Sequence, residues 1–441
     1  MSRSATRRRT ARVPAGHTSA DEASAVARNI VESAGARPEA VSHEGKGGGT
    51  VNSTGITPYD PSDEAALRQT IRDFVRRELY PLEATHLAGQ APPEALMEAQ
   101  AKARKSGLWL LDAPEAYGGA GLGLRMMCVV WEELYKAAVL PARNTTVLGP
   151  SAGPMLYAGT PQQNERYLVP VLEMEKTTAF AQTEPAAGSD PAAMKTRAVW
   201  DGALWLLNGE KHFITGAKEA DFLQVVAVTE PGTSTSRPQF TVFLVDADVA
   251  GVEIGRCDET LDGEQTWEVH LRNVRLGPEQ VLGEVGAGFR LAQKWLIKGR
   301  LNQAAKAIAY GERALAMAVR HAQERQAFGR RIIDHEAIGF MLADSHMELE
   351  AVKLLTHDCA AKADLGMDVR YEAATAKVMG VETGCRIVDR AVQVHGGMGL
   401  MKDLPLGKWY WDLRSLKITE GTSEVMRNFI VRSLPARYAD L

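Results

Sequence analysis

From Pro61 the apolar positions repeat at helical spacing, with Leu67, Ile71, Phe74, Val75 and Leu79 on one face and Pro81 closing the run. Further helical segments continue to about Val171, separated by turn clusters such as Tyr117-Gly118-Gly119-Ala120-Gly121. The period then changes. Short β-rich runs occupy 177–181, 198–206, 212–214, 222–228, 240–245 and 267–271, and Asp201-Gly202 marks a hairpin turn. After Gly286 the helical period returns: Ile308, Leu315, Val319 and Ala322 mark one long helix, and Ile338, Leu342, Leu349 and Val352 a second. Ala374, Val378, Val381, Cys385, Val388 and Val392 mark a third, in which Gly380 and Gly384 weaken the helix unless another backbone packs closely there. The pattern predicts an α+β chain, mainly α. An N-terminal helical domain (57–174) precedes a middle β-sandwich or barrel (175–285) and a C-terminal four-helix bundle (286–441).

Composition changes this picture only at the start of the chain. Across 441 residues, 45% hydrophobic and 24% charged residues suit a globular protein with a substantial core. A net charge of −4 gives no case for nucleic-acid binding, and no apolar run is long enough to span a bilayer. Cys128, Cys257, Cys359 and Cys385 are widely spaced, so neither a disulfide framework nor a metal site is indicated. The first twenty residues carry Arg3, Arg7, Arg8, Arg9 and Arg12 with no acid. They read as a basic tail on a cytoplasmic bacterial enzyme, or alternatively as a mitochondrial transit peptide. Glu44 to Thr50 reads as a flexible linker, and 1–56 as an extension outside the folded part.

Three segments carry chemistry. Near the C-terminus Glu420 stands before Gly421-Thr422-Ser423 and an amphipathic stretch. Gly421 allows close backbone approach and Thr422 is an N-cap type residue. A carboxylate beside free helix N–H donors suits proton abstraction next to a carbonyl, although an acid in this place is most often only a dipole partner. The second segment, Thr183-Glu184-Pro185-Ala186-Ala187-Gly188-Ser189-Asp190, is a small-residue loop after a strand and can approach a flat polar ring. In the third, Asn208 to Gly216, Phe213 and Thr215 fall on one strand face, where an aromatic can wall a planar cofactor and a hydroxyl can bond its edge.

The last two segments resemble the flavin-binding signatures TEPGAGSD and NGxKxWITN of the acyl-CoA dehydrogenase family. Three more motifs follow in the family's order: Arg325-Gln326-Ala327-Phe328-Gly329 is similar to R-x-x-F-G, Gln393 to Gly399 to Q-x-x-G-G-x-G, and Glu420 to Ser423 to E-G-T-S. The resemblance covers about Thr57 to Leu434. It implies an FAD enzyme that makes a trans-2-enoyl-CoA from an acyl-CoA and passes electrons to an electron-transfer flavoprotein. Glu420 is then the base that removes the α-proton while a hydride passes to flavin N5. Thr183, Phe213 and Thr215 surround the isoalloxazine, Ser189 lies near flavin and thioester, and Thr422 touches the FAD of its own subunit. Arg325, Phe328, Gln393, Gly396 and Gly397 reach the FAD of a neighbour in a homotetramer or homodimer. Arg300 and Gly421 belong to the substrate site. Burial against the ring and an apolar tunnel is expected to raise the Glu420 carboxyl.

Some departures from the family pattern bear on function. Gly299 occupies the helix position from which some branches take the base, so the role falls to Glu420. Ala186 replaces a glycine and Phe213 a tryptophan; His335-Glu336 stands where Phe-Gln is usual, and Ile297 where a polar residue is common. An oxidase or flavin monooxygenase on the same scaffold, or a non-catalytic assembly factor, are the alternatives to a dehydrogenase.

Overall fold

The computed structural model describes residues 60–439 apart from 141–145, 151, 234–235 and 262; the predicted basic extension lies outside the described residues. Helix α1 (Pro61–Phe74) opens on Asp60, whose side chain accepts from the Ser62 N–H at 2.8 Å, with Pro61 at the first helical position. Leu67, Ile71 and Phe74 are buried as the spacing requires, and the helix runs on through a wide turn, Val75–Leu79, before a tight turn at Tyr80–Ala84 that contains Pro81. Helices α2 (Pro93–Lys105) and α3 (Leu124–Leu134) follow, and short helical turns continue to Leu172. Helix α3 buries Glu132 and Glu133, which is tolerable only with partners. Arg68 reaches both carboxylates, Arg72 reaches Glu133 at 2.9 Å, and His357 reaches Glu132 at 2.8 Å.

The middle part is one eight-stranded sheet: β1 (Thr178–Ala181), β2 (Arg197–Trp200), β3 (Trp205–Thr215), β4 (Phe222–Glu230), β5 (Gln239–Asp246), β6 (Val252–Glu259), β7 (Gln265–Leu276) and β8 (Val281–Leu282). Strand order is β6-β7-β3-β2-β4-β5-β8, with β1 parallel to β4. Strand β2 joins β4 through the single pair Arg197–Val228, so the sheet folds over at that seam. Leu207, Ile214, Val269 and Leu271 from one half then pack with Leu223, Val225, Phe243 and Val245 from the other, as in a sandwich. The other face of β4 and β5 (Phe222, Val226, Val242, Leu244) packs on Met155, Leu168 and Leu172 of the N-terminal part.

The C-terminal part is built on α4 (Gly288–Glu324), α5 (Glu336–Asp364), α6 (Arg370–His395), α7 (Leu406–Leu416) and α8 (Ser423–Val431), followed by a single turn at Leu434–Arg437. Helices α4 and α6 cross where the glycines stand. A Cβ on Gly380 would lie 3.0 Å from the Ala304 Cα, and one on Gly384 3.0 Å from the Ala307 carbonyl oxygen. The small residues thus let two backbones touch, which compensates their weak helix propensity. A single apolar core runs from Leu67 and Ile71 of α1 through Val130 of α3 to Ala304, Val381 and Trp409. No described helix is long and apolar enough to cross a membrane.

Two expectations are corrected in detail. The runs expected at 198–206 and 212–214 belong to a hairpin in which β3 is continuous through Thr215, and β6 was not foreseen at all. Strand β6 pairs only with β7 and carries Glu253, Arg256, Asp258 and Glu259, so an exposed charged edge hides its weak alternation.

Candidate active site

The loop between α7 and α8 is built from its helix start. Thr422 is extended (φ −61°, ψ 158°), and its Oγ1 accepts from the Val425 N–H at 3.2 Å, fixing the first turn of α8. Just before it, Glu420 has φ 55° and Gly421 has φ 99°. The left-handed conformation costs a non-glycine residue roughly 1–2 kcal/mol, so Glu420 is held there by its surroundings. Two contacts do this work. The Ser423 N–H donates to the Lys417 carbonyl at 3.0 Å, and Lys377 Nζ donates to the Gly421 carbonyl at 2.7 Å.

The Glu420 carboxylate lies directly over Gly299 of α4. A Cβ at position 299 would come within 2.8 Å of the carboxyl carbon and 3.0 Å of Oε1, and closer still to Oε2. Glycine is therefore what allows an acid from a distant loop to rest on this helix. The next residue, Arg300, is buried, and its guanidinium sits 5.8 Å from the Phe429 ring of α8. Burial pulls the guanidinium below its ordinary range, against the opposing pull of Glu420. Gln303, one turn on, donates from Nε2 to Thr419 Oγ1 at 3.1 Å. The site thus brings together Glu420, Gly421, Thr422 and Arg300 of the expected set, with Gly299, Gln303 and Lys377 around them.

A second group forms on the sheet. The His212 N–H donates to the Thr183 carbonyl at 2.9 Å, so the loop after β1 and the end of β3 are tied together. Glu184 and Lys211 form a buried pair at 2.8 Å; Lys211 also donates to the Gln182 carbonyl, and Glu184 accepts from the Lys195 and Thr196 N–H groups. Burial alone would raise the Glu184 carboxyl, but Lys211 and these donors hold it below its ordinary value. Ala186 is not at positive φ, so the change from glycine is accommodated. Phe213, by contrast, has φ 59° at a register shift in β3, and its ring stacks on His212 at 3.9 Å. That irregularity leaves Phe213 56% exposed, while Ile214 stays buried. His212 in turn bonds Asp258 at 3.0 Å, and Arg256 bridges Asp258 and Glu268 behind it.

The third group lies at the far ends of α4 and α6. Arg325 caps α4, and Phe328 (φ 53°) and Gly329 (φ 79°) form the tip of a hairpin between β9 (Gln326–Ala327) and β10 (Arg330–Arg331). Phe328 is 96% exposed. His395, the last residue of α6, stacks on His321 at 4.7 Å, which brings Gln393, Gly396 and Gly397 beside the end of α4. A Cβ on Gly396 or Gly397 would meet nothing within 4 Å. Glu336 is the first residue of α5, a favourable place for an acid on dipole grounds alone. Exposed aromatic faces at strained backbone positions, beside open glycine turns, suit a large planar ligand with a phosphate tail.

Lys377 escaped sequence reasoning. The signal was there: a lysine among Ala373, Ala374, Val378 and Val381 on the buried face of α6.

The acyl-CoA dehydrogenase N-terminal, middle and C-terminal domain families match residues 61–175, 179–274 and 286–434. The chain is 36% identical over 375 residues to the 3-(aryl)acrylate reductase of Clostridium sporogenes, covering 83% of this chain and 97% of that protein. It is 36% identical over 379 residues to the CarC subunit of the caffeyl-CoA reductase-Etf complex of Acetobacterium woodii, covering 84% and 98%. The butyryl-CoA dehydrogenase structure from Megasphaera elsdenii superposes with a TM-score of 0.73 at 30% identity, covering 87% and 99%.

Proposed function

The chain belongs to the acyl-CoA dehydrogenase family of FAD-dependent oxidoreductases acting on CH–CH groups, and from that premise we propose that it interconverts an acyl-CoA and its trans-2-enoyl-CoA with Glu420 as the α-carbon base. The observation that carries the assignment is the Glu420 carboxylate seated on Gly299, beside buried Arg300. Glu420 takes the proton from the α-carbon, and its backbone N–H holds the thioester oxygen as negative charge develops there. Gly421 keeps the backbone close to the substrate, and Arg300 holds a positive charge beside the carboxylate. Bound FAD would supply the acceptor for the β-hydride. Thr183, Phe213, Thr215 and Ser189 would line its ring, and Thr422, whose Oγ1 accepts from the Val425 N–H, would lie at its edge. Arg325, Phe328, Gln393, Gly396 and Gly397 would serve the FAD of a neighbouring subunit, and an electron-transfer flavoprotein would take the electrons.

Two of the relatives are named as reductases of arylacrylate-type substrates, which favours a second reading in which the same site runs toward reduction. Glu420 then delivers a proton to the α-carbon, as microscopic reversibility requires. Trp295, one helical turn before Gly299 on α4, stacks on Phe180 of β1 at 5.9 Å and supports an aryl-bearing substrate. Anaerobic mixing of the yellow protein with butyryl-CoA and with 3-phenylpropionyl-CoA separates the readings. Bleaching by either supports Glu420 chemistry on a thioester, and bleaching by the phenyl compound alone supports an aryl substrate. If neither acyl-CoA bleaches the flavin, and cinnamoyl-CoA does not reoxidise chemically reduced enzyme, the proposed function is wrong.

Helix α5 would offer the neighbouring subunit its landing face. Phe340, Met347 and Leu354 recur every seven residues on α5 and are 64%, 60% and 73% exposed. Phe340→Asp combined with Met347→Asp is expected to lower the solution mass from tetramer toward monomer by light scattering. FAD is expected to leave with the lost subunits.

A further inference from the structure

We propose that Lys377 is a positioning residue for the proton-transfer step, clamping the Glu420–Gly421 turn from α6 and setting a buried positive charge beside the base. The inference rests on the reading of Glu420 as that base.

Lys377 has no exposed surface, although it carries an ammonium group. Burying it sacrifices hydration and side-chain freedom, so the fold retains it against a substantial cost. Its Nζ is aimed at one backbone atom, the Gly421 carbonyl oxygen, 2.7 Å away. That carbonyl belongs to the second of two successive left-handed residues, Glu420 (φ 55°) and Gly421 (φ 99°). Such a turn relaxes unless something holds it, and a charge-assisted hydrogen bond is among the stronger single anchors available. The clamp therefore determines where the Glu420 carboxylate rests over Gly299.

The charge has a second consequence. Glu420 from the loop, Arg300 from α4, Glu424 from α8 and Glu382 on α6 itself are the charged groups whose fields act on the Lys377 ammonium. Burial pulls the ammonium down to about 8, against the opposing pull of Glu420. A neighbouring cation favours the ionised carboxylate, so Lys377 keeps Glu420 in its working, deprotonated form to lower pH. The Glu420 mechanism alone calls for neither effect.

The test uses the FAD-loaded protein and Lys377→Met, with Lys377→Arg as the charge-conserving variant. In Lys377→Met the anaerobic flavin-reduction rate constant is expected to fall at least about tenfold with FAD content unchanged. The acid limb of its pH profile is expected to move to higher pH, and Lys377→Arg to restore that limb toward wild type. Backbone amides in 417–424 are expected to exchange hydrogen faster in Lys377→Met. If that variant does not yield folded protein, Lys377→Gln, which keeps an amide donor without the charge, carries the same measurements. A wild-type rate and profile overturns the proposal. So does a slower rate with an unmoved acid limb and no rescue by arginine, which would leave Lys377 a structural lysine. Should Glu420→Gln still bleach normally, the base assignment fails by itself, and the exchange of 417–424 decides the clamp separately.

Discussion

Glu420→Gln leaves the purified protein yellow and slows substrate-driven bleaching of the flavin by about 10²–10⁴-fold, the range for loss of a positioned general base. The amide is nearly isosteric with the carboxylate. It can occupy the same place over Gly299 without altering the helix, the Lys377 clamp or the Thr422 cap. FAD content and melting temperature should therefore stay close to wild type, and the substrate should still bind. What is lost is a group able to take a proton, together with its negative charge beside Arg300 and Lys377. Single-turnover mixing under anaerobic conditions reads the chemical step directly. A variant that bleaches at the wild-type rate would remove Glu420 from the mechanism.

Gly299→Ala is expected to cost at least about 100-fold in the same measurement, because displacing a reacting group by about 1 Å has an effect of that order. The new methyl group would fall inside contact distance of both Glu420 oxygens and the carboxyl carbon. The loop cannot simply retreat, since Lys377 holds the Gly421 carbonyl and Thr422 holds the start of α8. The carboxylate must swing away while the helix stays intact; alanine in fact favours the helix by about 1 kcal/mol over glycine. Unchanged or improved stability with lost activity is thus the signature. The two positions are also close enough to exchange roles. Glu420→Gly alone should be inactive, and adding Gly299→Glu should recover more than tenfold, because the second acid enters the same space from the helix side. No recovery would mean that Glu420 acts through its backbone setting as well as its carboxylate.

The order of the three parts, the apolar faces of α1, α4, α5 and α6, and the glycines at the α4–α6 crossing were all legible in the chain. Each follows from local period or from one residue's steric size. Ala304 and Ala307 supply the opposing backbone that Gly380 and Gly384 called for. Strand β6 was not legible, because an edge strand with charges on it lacks the alternation that two-sided burial imposes. The turn at Phe213 was not legible either. A register shift depends on how β3 meets β7, and those strands are more than fifty residues apart in the chain.

By itself, the sequence determined which residue types are present and in what order: an acid before Gly421-Thr422, a glycine where a helix could have carried an acid, and a hydroxyl-rich loop after a strand. Local chemistry dictates the first and the last, so motif and period reveal them; the meaning of the glycine is implied by the family resemblance. Only the tertiary structure decided that the acid lies on that glycine, that its backbone is held left-handed, and that a buried lysine forty-three positions earlier in the chain holds the turn. The physical reason is that α4, α6 and the loop before α8 meet through long-range packing. No local pattern encodes which side chain will end beneath which carbonyl.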